Sequence, residues 1–363
     1  MRILIASNAF KGTLTAGRAC GAIAAGVRTA FPGARVEELP VADGGDGLLE
    51  ALAPALGGSI MRTRVSGPLG RPVAARWLLA GRTAVIEMAE ASGLRLLGGG
   101  ALRPLDASTR GVGQLLLAAA ASGAKEIVVG LGGSASNDGG AGCAQAFGFS
   151  LVDAAGRPIA PGARGLAALA AVFPGEARRR LRGIKVVGLA DVKNRLCGRL
   201  GSARVFGPQK GAGPREVAFM ERALLRYARV VRTCLGVPVA GLRGGAAAGG
   251  LGAGLAGFFG AELDDGSSYV LDRLGFEARL ARADLVITGE GCFDAQTFYG
   301  KAPGAVIAAA RRLGKPAVVV CGRSLLAHAR GVVRIIEAGR EPSPYAALRR
   351  AAAGLAGLRL PHG

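Results

Sequence analysis

Apolar runs that end in glycine-rich polar loops recur along this chain, and this pattern constrains the fold more than any other feature. The run Leu285–Thr288 is typical of a buried parallel strand, and a turn is predicted after it at Gly289–Gly291. Gly300 and Lys301 then open a predicted helix that has Pro303 in its first turn. Because ligands bind beyond the carboxyl ends of parallel strands, we expect a binding site here.

Three further loops follow the same pattern. Predicted strands at Arg2–Ala6 and Val36–Pro40 are each followed by a polar loop, and the second of these loops places Asp43 among glycines. A strand predicted at 125–130 leads into a run of small residues that ends at Gly140. Successive small residues allow backbone N–H groups to surround an anion, so these loops predict phosphate binding.

A region with a different hydrophobic pattern separates these segments. Residues Val73–Leu79 and Thr83–Ala89 alternate around a short Ala-Gly-Arg turn, which predicts a β-hairpin. A chain of 363 residues is also too long for one typical core. We therefore expect a second domain that begins near this hairpin.

Three of the seven lysines stand beside glycine in polar loops. They are Lys11, Lys210 and Lys301, in a chain whose other cations are almost all arginine. A compact ammonium group is not interchangeable with a guanidinium at a tight phosphate site. This selective use of lysine predicts phosphate ligands.

The net charge of +21 suits anionic substrates, and it leaves a nucleic-acid binder open as an alternative. Aromatic residues make up only 5% of the chain, so stacking platforms for single strands are scarce and nucleic acid is an unlikely partner. The uncharged stretch Gly244–Ala261 is rich in glycine, which favours a loop running into a buried helix over a membrane span.

Cysteine and histidine usage narrows the chemistry. Six widely spaced cysteines are no disulfide framework in a chain of this length, which indicates a reducing, cytoplasmic compartment. No signal peptide is recognisable. Only two histidines occur, so a Ser-His-Asp hydrolase or a histidine-rich zinc enzyme is disfavoured.

A formal dinucleotide fingerprint leaves a second enzyme class open. Gly130–Ala135 contains the pattern G-x-G-x-x-A, and Asp153 follows about 20 residues later. A lone match of this kind is weak, and the loop continues with Ser-x-Asn-Asp-Gly-Gly, which suits a phosphate or hydroxyl ligand better. An NAD(P)-dependent dehydrogenase remains the alternative.

Taken together, six short motifs resemble the type 1 glycerate kinase family from Arg2 to about Leu355. They are Phe10–Gly12, Val41–Gly45, Gly130–Gly140, Val205–Ala212, Gly249–Gly254 and Ile287–Pro303. The resemblance implies phosphorylation of a hydroxyl of D-glycerate by ATP with Mg²⁺. It also implies an α/β fold of two domains with an interdomain cleft, one Rossmann-like with a mostly parallel sheet and one mixed α/β.

The domain boundaries expected from this resemblance divide the chain several times. Residues 1–60 and 275–363 are expected to form the Rossmann-like domain, joined by residues 122–150. Residues 61–121 and 151–274 are expected to form the second domain, inserted in the chain. The oligomeric state is left open.

Roles follow from residue type and loop position. Asp43 or Asp294 is expected to accept the proton of the substrate hydroxyl, with Lys11 and Lys301 on phosphates. Asp191 and Glu290 are the expected Mg²⁺ ligands. Arg110, Gln296 and Thr297 are the expected substrate contacts. The expected nucleotide contacts are Gly44, Gly45, Gly132, Gly133, Ser134, Asn137 and Lys210.

Several positions depart from the family pattern. Asn8 and Ala9 replace an Asp-Ser pair, Cys292 stands where arginine is usual, and Lys193 and Arg195 lie in a motif that usually reads Asp-Val-x-Asn-Pro. A kinase for another small hydroxy acid is therefore an alternative. The sequence does not choose between the C2 and C3 hydroxyls of glycerate.

Overall fold

The chain divides into two compact units. The first comprises Met1–Leu56 and the part from Asp265 onward, and the second comprises Gly57–Asp264. The computed structural model describes residues 1–100, 102–339 and 341–358. Each unit is built around its own sheet, and a small two-stranded sheet belongs to the second unit.

The chain enters the first unit with two strands and two helices. These are β1 (Arg2–Ser7), α1 (Ala16–Ala30), β2 (Arg35–Glu38) and α2 (Leu48–Leu56). The side chain of Thr15 accepts the N–H of Arg18 and so satisfies one of the open donors at the start of α1. β1 is buried from Ile3 to Ser7, as its apolar run predicts.

The second unit has a six-stranded mixed sheet in the order β10-β9-β6-β5-β4-β3. Its strands, with those of the small sheet, are β3 (Ser59–Ser66), β4 (Pro72–Ala80), β5 (Thr83–Glu87), β6 (Glu126–Gly130), β7 (Ser150–Val152), β8 (Ala171–Phe173), β9 (Lys185–Ala190) and β10 (Glu262–Asp265). The predicted hairpin is confirmed as the antiparallel pair β4 and β5.

The helices of the second unit are α3 (Ala89–Ser92), α4 (Arg110–Ala121), α5 (Ala141–Phe147), α6 (Gly162–Leu166), α7 (Ala177–Arg180), α8 (Ser202–Phe206), α9 (Pro214–Leu235) and α10 (Ala247–Phe259). Every residue of α10 is buried, so the glycine-rich stretch around it forms a core helix, as predicted. Within the described ranges, no helix combines the length and the apolarity needed to cross a membrane.

The chain then returns to the first unit. The remaining elements are α11 (Gly266–Arg273), α12 (Phe276–Ala281), β11 (Leu285–Phe293), α13 (Ala302–Arg312), β12 (Ala317–Ser324), β13 (Val332–Glu337) and α14 (Pro344–Ala353). All described pairings in this five-stranded sheet are parallel, in the order β13-β12-β11-β1-β2. The α/β class is confirmed, with a parallel sheet in one unit and a mixed sheet in the other.

The strand order of the first unit reverses between β1 and β11. From β1 the chain moves outward to β2, whereas from β11 it moves outward to β12 and β13 on the other side. Ser7 lies opposite Gly289 across this junction, and the N–H of Asn8 donates to the Gly289 carbonyl at 2.9 Å. A parallel sheet opens a crevice at such a point, beyond the carboxyl ends of its strands.

Two expectations need correction. Residues 122–150 lie in the second unit, because β6 pairs in parallel between β5 and β9. Gly289–Gly291 form no turn, because β11 continues to Phe293 beside β12. A Cβ at Gly289 would lie 2.3 Å from the Val320 carbonyl oxygen, so this glycine permits close strand packing.

Candidate functional site

A cavity of about 620 Å³ lies at the strand-order reversal of the first unit. Five of the polar residues that line it are Asn8, Lys11, Asp43, Glu290 and Lys301. A smaller cavity of about 280 Å³ shares Asn8, Lys11 and Asp43 with it. The structure therefore brings together four residues predicted from three loops, and adds Asn8 to them.

Asp43 is held by an amide. Its Oδ2 accepts a hydrogen bond from Asn8 Nδ2 at 3.0 Å, and its Oδ1 accepts a longer one from the Gly45 N–H at 3.4 Å. Only 7% of Asp43 is exposed. Gly44 has a φ of 88°, and this turn brings the Gly45 N–H back toward the Asp43 carboxylate.

The backbone of Asp43 is supported by a residue that the sequence did not point to. A Cβ on Gly266 would lie 2.2 Å from the Asp43 carbonyl oxygen, so the start of α11 packs directly on this loop. Gly266 follows Asp265, which caps α11 by accepting the N–H of Ser268 at 2.9 Å. The sequence stretch 265–274 was expected in the other domain, and nothing local signals this contact.

Glu290 is a buried carboxylate with two partners. Its Oε1 accepts the Thr297 hydroxyl at 2.6 Å, and its Oε2 lies 3.3 Å from Lys301 Nζ. Burial raises the pKa of Glu290 above its ordinary value, while the bonds from Thr297 and Lys301 oppose the rise. The group therefore favours a nearby cation or a shared proton over an isolated charge.

Thr297 has internal contacts at this position, and its predicted contact with substrate stays a prediction. Its side chain is buried, and its Oγ1 accepts the N–H of Asp294 at 3.2 Å while donating to Glu290. The hydroxyl thus joins the end of β11 to the short 3₁₀ turn Ala295–Phe298. The neighbouring Gln296 is exposed, which leaves its amide available to a ligand.

Asp294 caps the same turn. Its Oδ1 accepts the N–H of Gln296 at 2.8 Å and lies 3.9 Å from Lys301 Nζ. Its other oxygen is 4.0 Å from the thiol of Cys292. Asp294 therefore keeps a loop in shape, a task that an asparagine also performs.

Two lysines reach the cavity from loops. Lys301 precedes the first residue of α13 and lines the cavity, beside a helix end whose first N–H groups have no partner within the helix. Lys11 is exposed in the loop after β1 and lines both cavities. A cationic side chain beside a helix N-terminus is a suitable arrangement for a phosphate group.

In the second unit, the predicted nucleotide loop after β6 is closely packed. Ser134 is buried and forms an isolated antiparallel β-bridge with Gly93. Gly132 and Gly133 retain some exposure. Asn137 is buried and donates to the Pro104 carbonyl at 3.1 Å. Its side chain is therefore occupied within the protein.

Lys210 does not fit the predicted phosphate contact. It is 2% exposed, and its Nζ donates to the Ser136 carbonyl at 2.6 Å and lies 3.3 Å from Asn137 Oδ1. Burial lowers the pKa of Lys210 to about 7, with Asp138 opposing the shift. The loop residues Gln209 and Gly211 suggested exposure, but the side chain turns inward and supports the glycine-rich loop.

Asp138 is the anionic counterpart of Lys210. Its carboxylate accepts hydrogen bonds from the backbone of Thr109, Gly140 and Gly142 and from the hydroxyls of Ser108 and Thr109. Burial raises the pKa of Asp138 against these donors. So many internal donors mark Asp138 as a structural acceptor.

The remaining predicted residues lie at element ends of the second unit. Asp191 follows β9 directly and is half-buried, and Arg110 is the exposed first residue of α4. Glu290 belongs to the first unit, so the predicted pairing of Asp191 with Glu290 stays a prediction. Among the described residues, no three His, Cys, Asp or Glu side chains gather as a metal site.

The dinucleotide fingerprint is not supported by the fold. The strand after α5 is β7, which pairs with β8 in a separate antiparallel sheet instead of lying parallel to β6. Asp153 closes a turn after β7 and bonds to Arg157 at 2.9 Å. A ribose-binding carboxylate would have to end a neighbouring parallel strand.

Comparison with known proteins agrees with the fold. The model of the glycerate kinase family matches residues 3–356. A glycerate kinase of Bacillus subtilis (strain 168) is 43% identical over 324 residues, covering 89% of this chain and 85% of its own length. A glycerate 2-kinase of Escherichia coli (strain K12) is 42% identical with the same coverage. A crystal structure assigned as glycerate kinase 2 from Salmonella typhimurium LT2 has a TM-score of 0.86 and 42% identity, and the match covers 98% of this chain and 97% of that one. The chain belongs to the glycerate kinase family.

Proposed function

We propose that this chain is an ATP-dependent kinase that phosphorylates a hydroxyl of D-glycerate, giving phosphoglycerate and ADP. The observation that carries the proposal is the cavity at the strand-order reversal, where Asp43 lies with Lys11 and Lys301. Phosphoryl transfer needs positioning and charge neutralisation more than covalent protein chemistry. An oriented acceptor and two cations supply both, and neither of the two histidines of the chain is required.

Asp43 is the proposed proton acceptor. A general base must present a lone pair toward the hydroxyl whose proton it takes, late in the transfer. The Asn8 amide and the Gly45 N–H orient the Asp43 carboxylate, and it lines both cavities. Asp294 was the other candidate, and its bond to the Gln296 N–H gives it a capping task instead.

Lys11 and Lys301 are the proposed phosphate ligands. Lys301 stands at the N-terminus of α13, where the helix dipole and unpartnered N–H groups also attract an anion. Lys11 reaches the cavity from the loop after β1 and has no rigid internal role. The backbone of Gly132, Gly133 and Ser134 in the second unit, with that of Gly44 and Gly45, stays part of the proposed nucleotide contacts.

Glu290 is the proposed ligand for Mg²⁺, and Asp191 the proposed second one. Glu290 fits because it is a buried carboxylate that lines the cavity and already faces one cation, Lys301. Mg²⁺ prefers oxygen ligands and is commonly held by one or two carboxylates together with substrate phosphates. When bound, the ion neutralises charge on the transferred group. We expect Glu290→Gln chiefly to raise the Mg²⁺ concentration that half-maximal activity requires.

Substrate recognition is proposed for Arg110 and Gln296, which are both exposed. Arg110 suits the carboxylate of glycerate, because a guanidinium fork matches a carboxylate in two bonds. Gln296 suits a hydroxyl. The six cysteines are free thiols, which agrees with a reducing compartment, and we place the activity in the cytoplasm.

The test is ADP release with ATP, Mg²⁺ and a panel of small hydroxy acids that includes both enantiomers of glycerate. We expect turnover on D-glycerate, and NMR of the product then distinguishes C2 from C3 phosphorylation. Turnover on another acid but not on D-glycerate would support the alternative substrate suggested by Asn8, Lys193, Arg195 and Cys292. Absence of ADP release with every acid would contradict the kinase proposal.

A further inference from the structure

We propose that Asn8 is a positioning residue that holds the carboxylate of Asp43 as a proton acceptor. This inference rests on the proposed kinase function and on the role of Asp43 within it. Asn8 is 6% exposed and Asp43 is 7% exposed, so solvent does not substitute freely for either partner.

The orientation of the Asn8 amide is set by its other contact. Asn8 Oδ1 accepts the N–H of Ala9 at 2.7 Å, so Nδ2 is the atom that faces Asp43. Nδ2 then donates to Asp43 Oδ2 at 3.0 Å. A donating N–H needs a lone pair. The contact therefore holds Oδ2 of Asp43 as a hydrogen-bond acceptor.

Both partners are fixed through their backbones. The Asn8 N–H donates to the Gly289 carbonyl at 2.9 Å, which ties the loop to β11. Gly266 packs against the carbonyl of Asp43. With both backbones held in this way, the amide sets the direction of the remaining lone pairs of Asp43.

The charges around this pair are of both signs. The groups that share its two cavities are Lys11, Asp46, Glu50, Glu290, Cys292, Lys301 and Glu341. An aspartate at position 8 would place two carboxylates at hydrogen-bond distance, and such a pair shares a proton near neutral pH.

The experiment follows the pH dependence of kcat/KM from about pH 5 to 9 in the full-length chain. In Asn8→Asp we expect the acid limb to move up by at least about one pH unit, and the activity above about pH 8 to level off about tenfold below wild type because the amide donor is lost. Thr15→Asp is the matched control, because it adds a carboxylate to the wall of the smaller cavity and keeps a good cap on α1. An unmoved limb in Asn8→Asp, or an equal shift in Thr15→Asp, overturns the proposal.

A second variant covers an Asn8→Asp protein that is inactive at every pH. Asn8→Ala removes the donor without adding charge, and we expect kcat to fall about tenfold with little change in KM. Wild-type kcat in Asn8→Ala overturns the proposal. Asp43→Asn distinguishes failure of the proposed function from failure of this inference. If Asp43→Asn stays active, Asp43 is not the proton acceptor. If Asp43→Asn is inactive and both Asn8 variants behave as wild type, only the role of Asn8 is wrong.

Discussion

The two units use the same residue types for opposite purposes. In the first unit, Asp43 and Lys301 line a cavity, and their contacts orient them toward it. In the second unit, Asp138 and Lys210 are almost wholly buried, and their bonds go to neighbouring loops. A carboxylate and a lysine beside glycines therefore indicate a polar loop, but the surroundings decide between a site and a support.

Backbone packing explains the difference. In the second unit, Ala248, Gly249 and Gly250 form a left-handed turn at the start of α10, and a Cβ on Gly249 would lie 1.9 Å from the Ser136 carbonyl oxygen. Two backbones in such contact leave no room for a ligand there, and polar groups between them must be satisfied internally. In the first unit, β1 and β11 diverge into loops on opposite sides of the strand-order reversal, which leaves a cavity open.

The largest expected effect tests the first unit. Asp43→Asn should lower kcat by about 10²–10⁴, because the proposed proton acceptor is lost while the shape of the side chain is retained. The thermal midpoint should change little. Asp294→Asn is the matched control, since asparagine also caps a turn, and we expect it to stay within about threefold of wild type. A large loss in Asp294→Asn with an active Asp43→Asn would reverse the two assignments.

The next prediction concerns the second unit and the dependence of its stability on pH. Burial lowers the pKa of Lys210 to about 7, whereas an unfolded lysine titrates near about 10.4. Between these values the unfolded chain binds the extra proton, so the contribution of Lys210 to stability rises with pH through this window and is lost as pH falls toward about 7. Compared with Lys210→Met, the free energy of unfolding of wild type should rise by about 1.4 kcal/mol more per pH unit.

Urea unfolding followed by Trp77 fluorescence measures this difference. Trp77 is the single tryptophan of the chain and is buried in the second unit, so its signal reports on that unit. Parallel curves of stability against pH for wild type and Lys210→Met would show that Lys210 is charged in the fold. Lys210 would then resemble the charged lysines of the cavity instead of a neutral, buried support.

The sequence predicted the site of the first unit better than the packing of the second for a physical reason. Asp43, Glu290 and Lys301 follow apolar runs or open a helix, and the end of a buried strand is recognisable from local sequence. The burial of Lys210 depends on loops more than 70 residues away, with sequence separations of 74 and 73 to its partners Ser136 and Asn137. Such contacts leave no local pattern.

The same limit explains the misplaced segment 122–150. Its strand β6 resembles β1 and β11 in composition, but its neighbours β5 and β9 are fixed by tertiary pairing. Thr297 shows that a contact between residues close in sequence can also escape prediction. Its position in the loop predicted contact with substrate, whereas its hydroxyl is occupied by Glu290 only because β11 continues past the expected turn.

Thr297 bonds to the cavity residue Glu290, and replacing it should give an effect of intermediate size. Thr297→Val keeps the side-chain shape but removes the hydrogen bond to Glu290, so we expect kcat to fall about tenfold, close to the net value of a bond to a charged group. Thr297→Ser restores the hydroxyl and should recover most of the activity. If Thr297→Ser raises KM for the substrate while Thr297→Val leaves kcat unchanged, Thr297 contacts substrate as the sequence suggested.

The smallest effect concerns the left-handed turn that closes the loop of the second unit. Ala248 has φ 54° and ψ 42°, a conformation that costs a residue with a Cβ about 1–2 kcal/mol. Ala248→Gly relieves this strain but loses one buried methyl group and adds freedom to the unfolded chain, so we expect a net gain of only about 0.5 kcal/mol. Ala253→Gly, in the regular part of α10, is the matched control and should lose about 1 kcal/mol. Urea midpoints from Trp77 fluorescence measure both variants. Opposite signs would show that the turn is strained to bring Gly249 against Ser136, whereas equal losses would show that Ala248 packs in its conformation without strain.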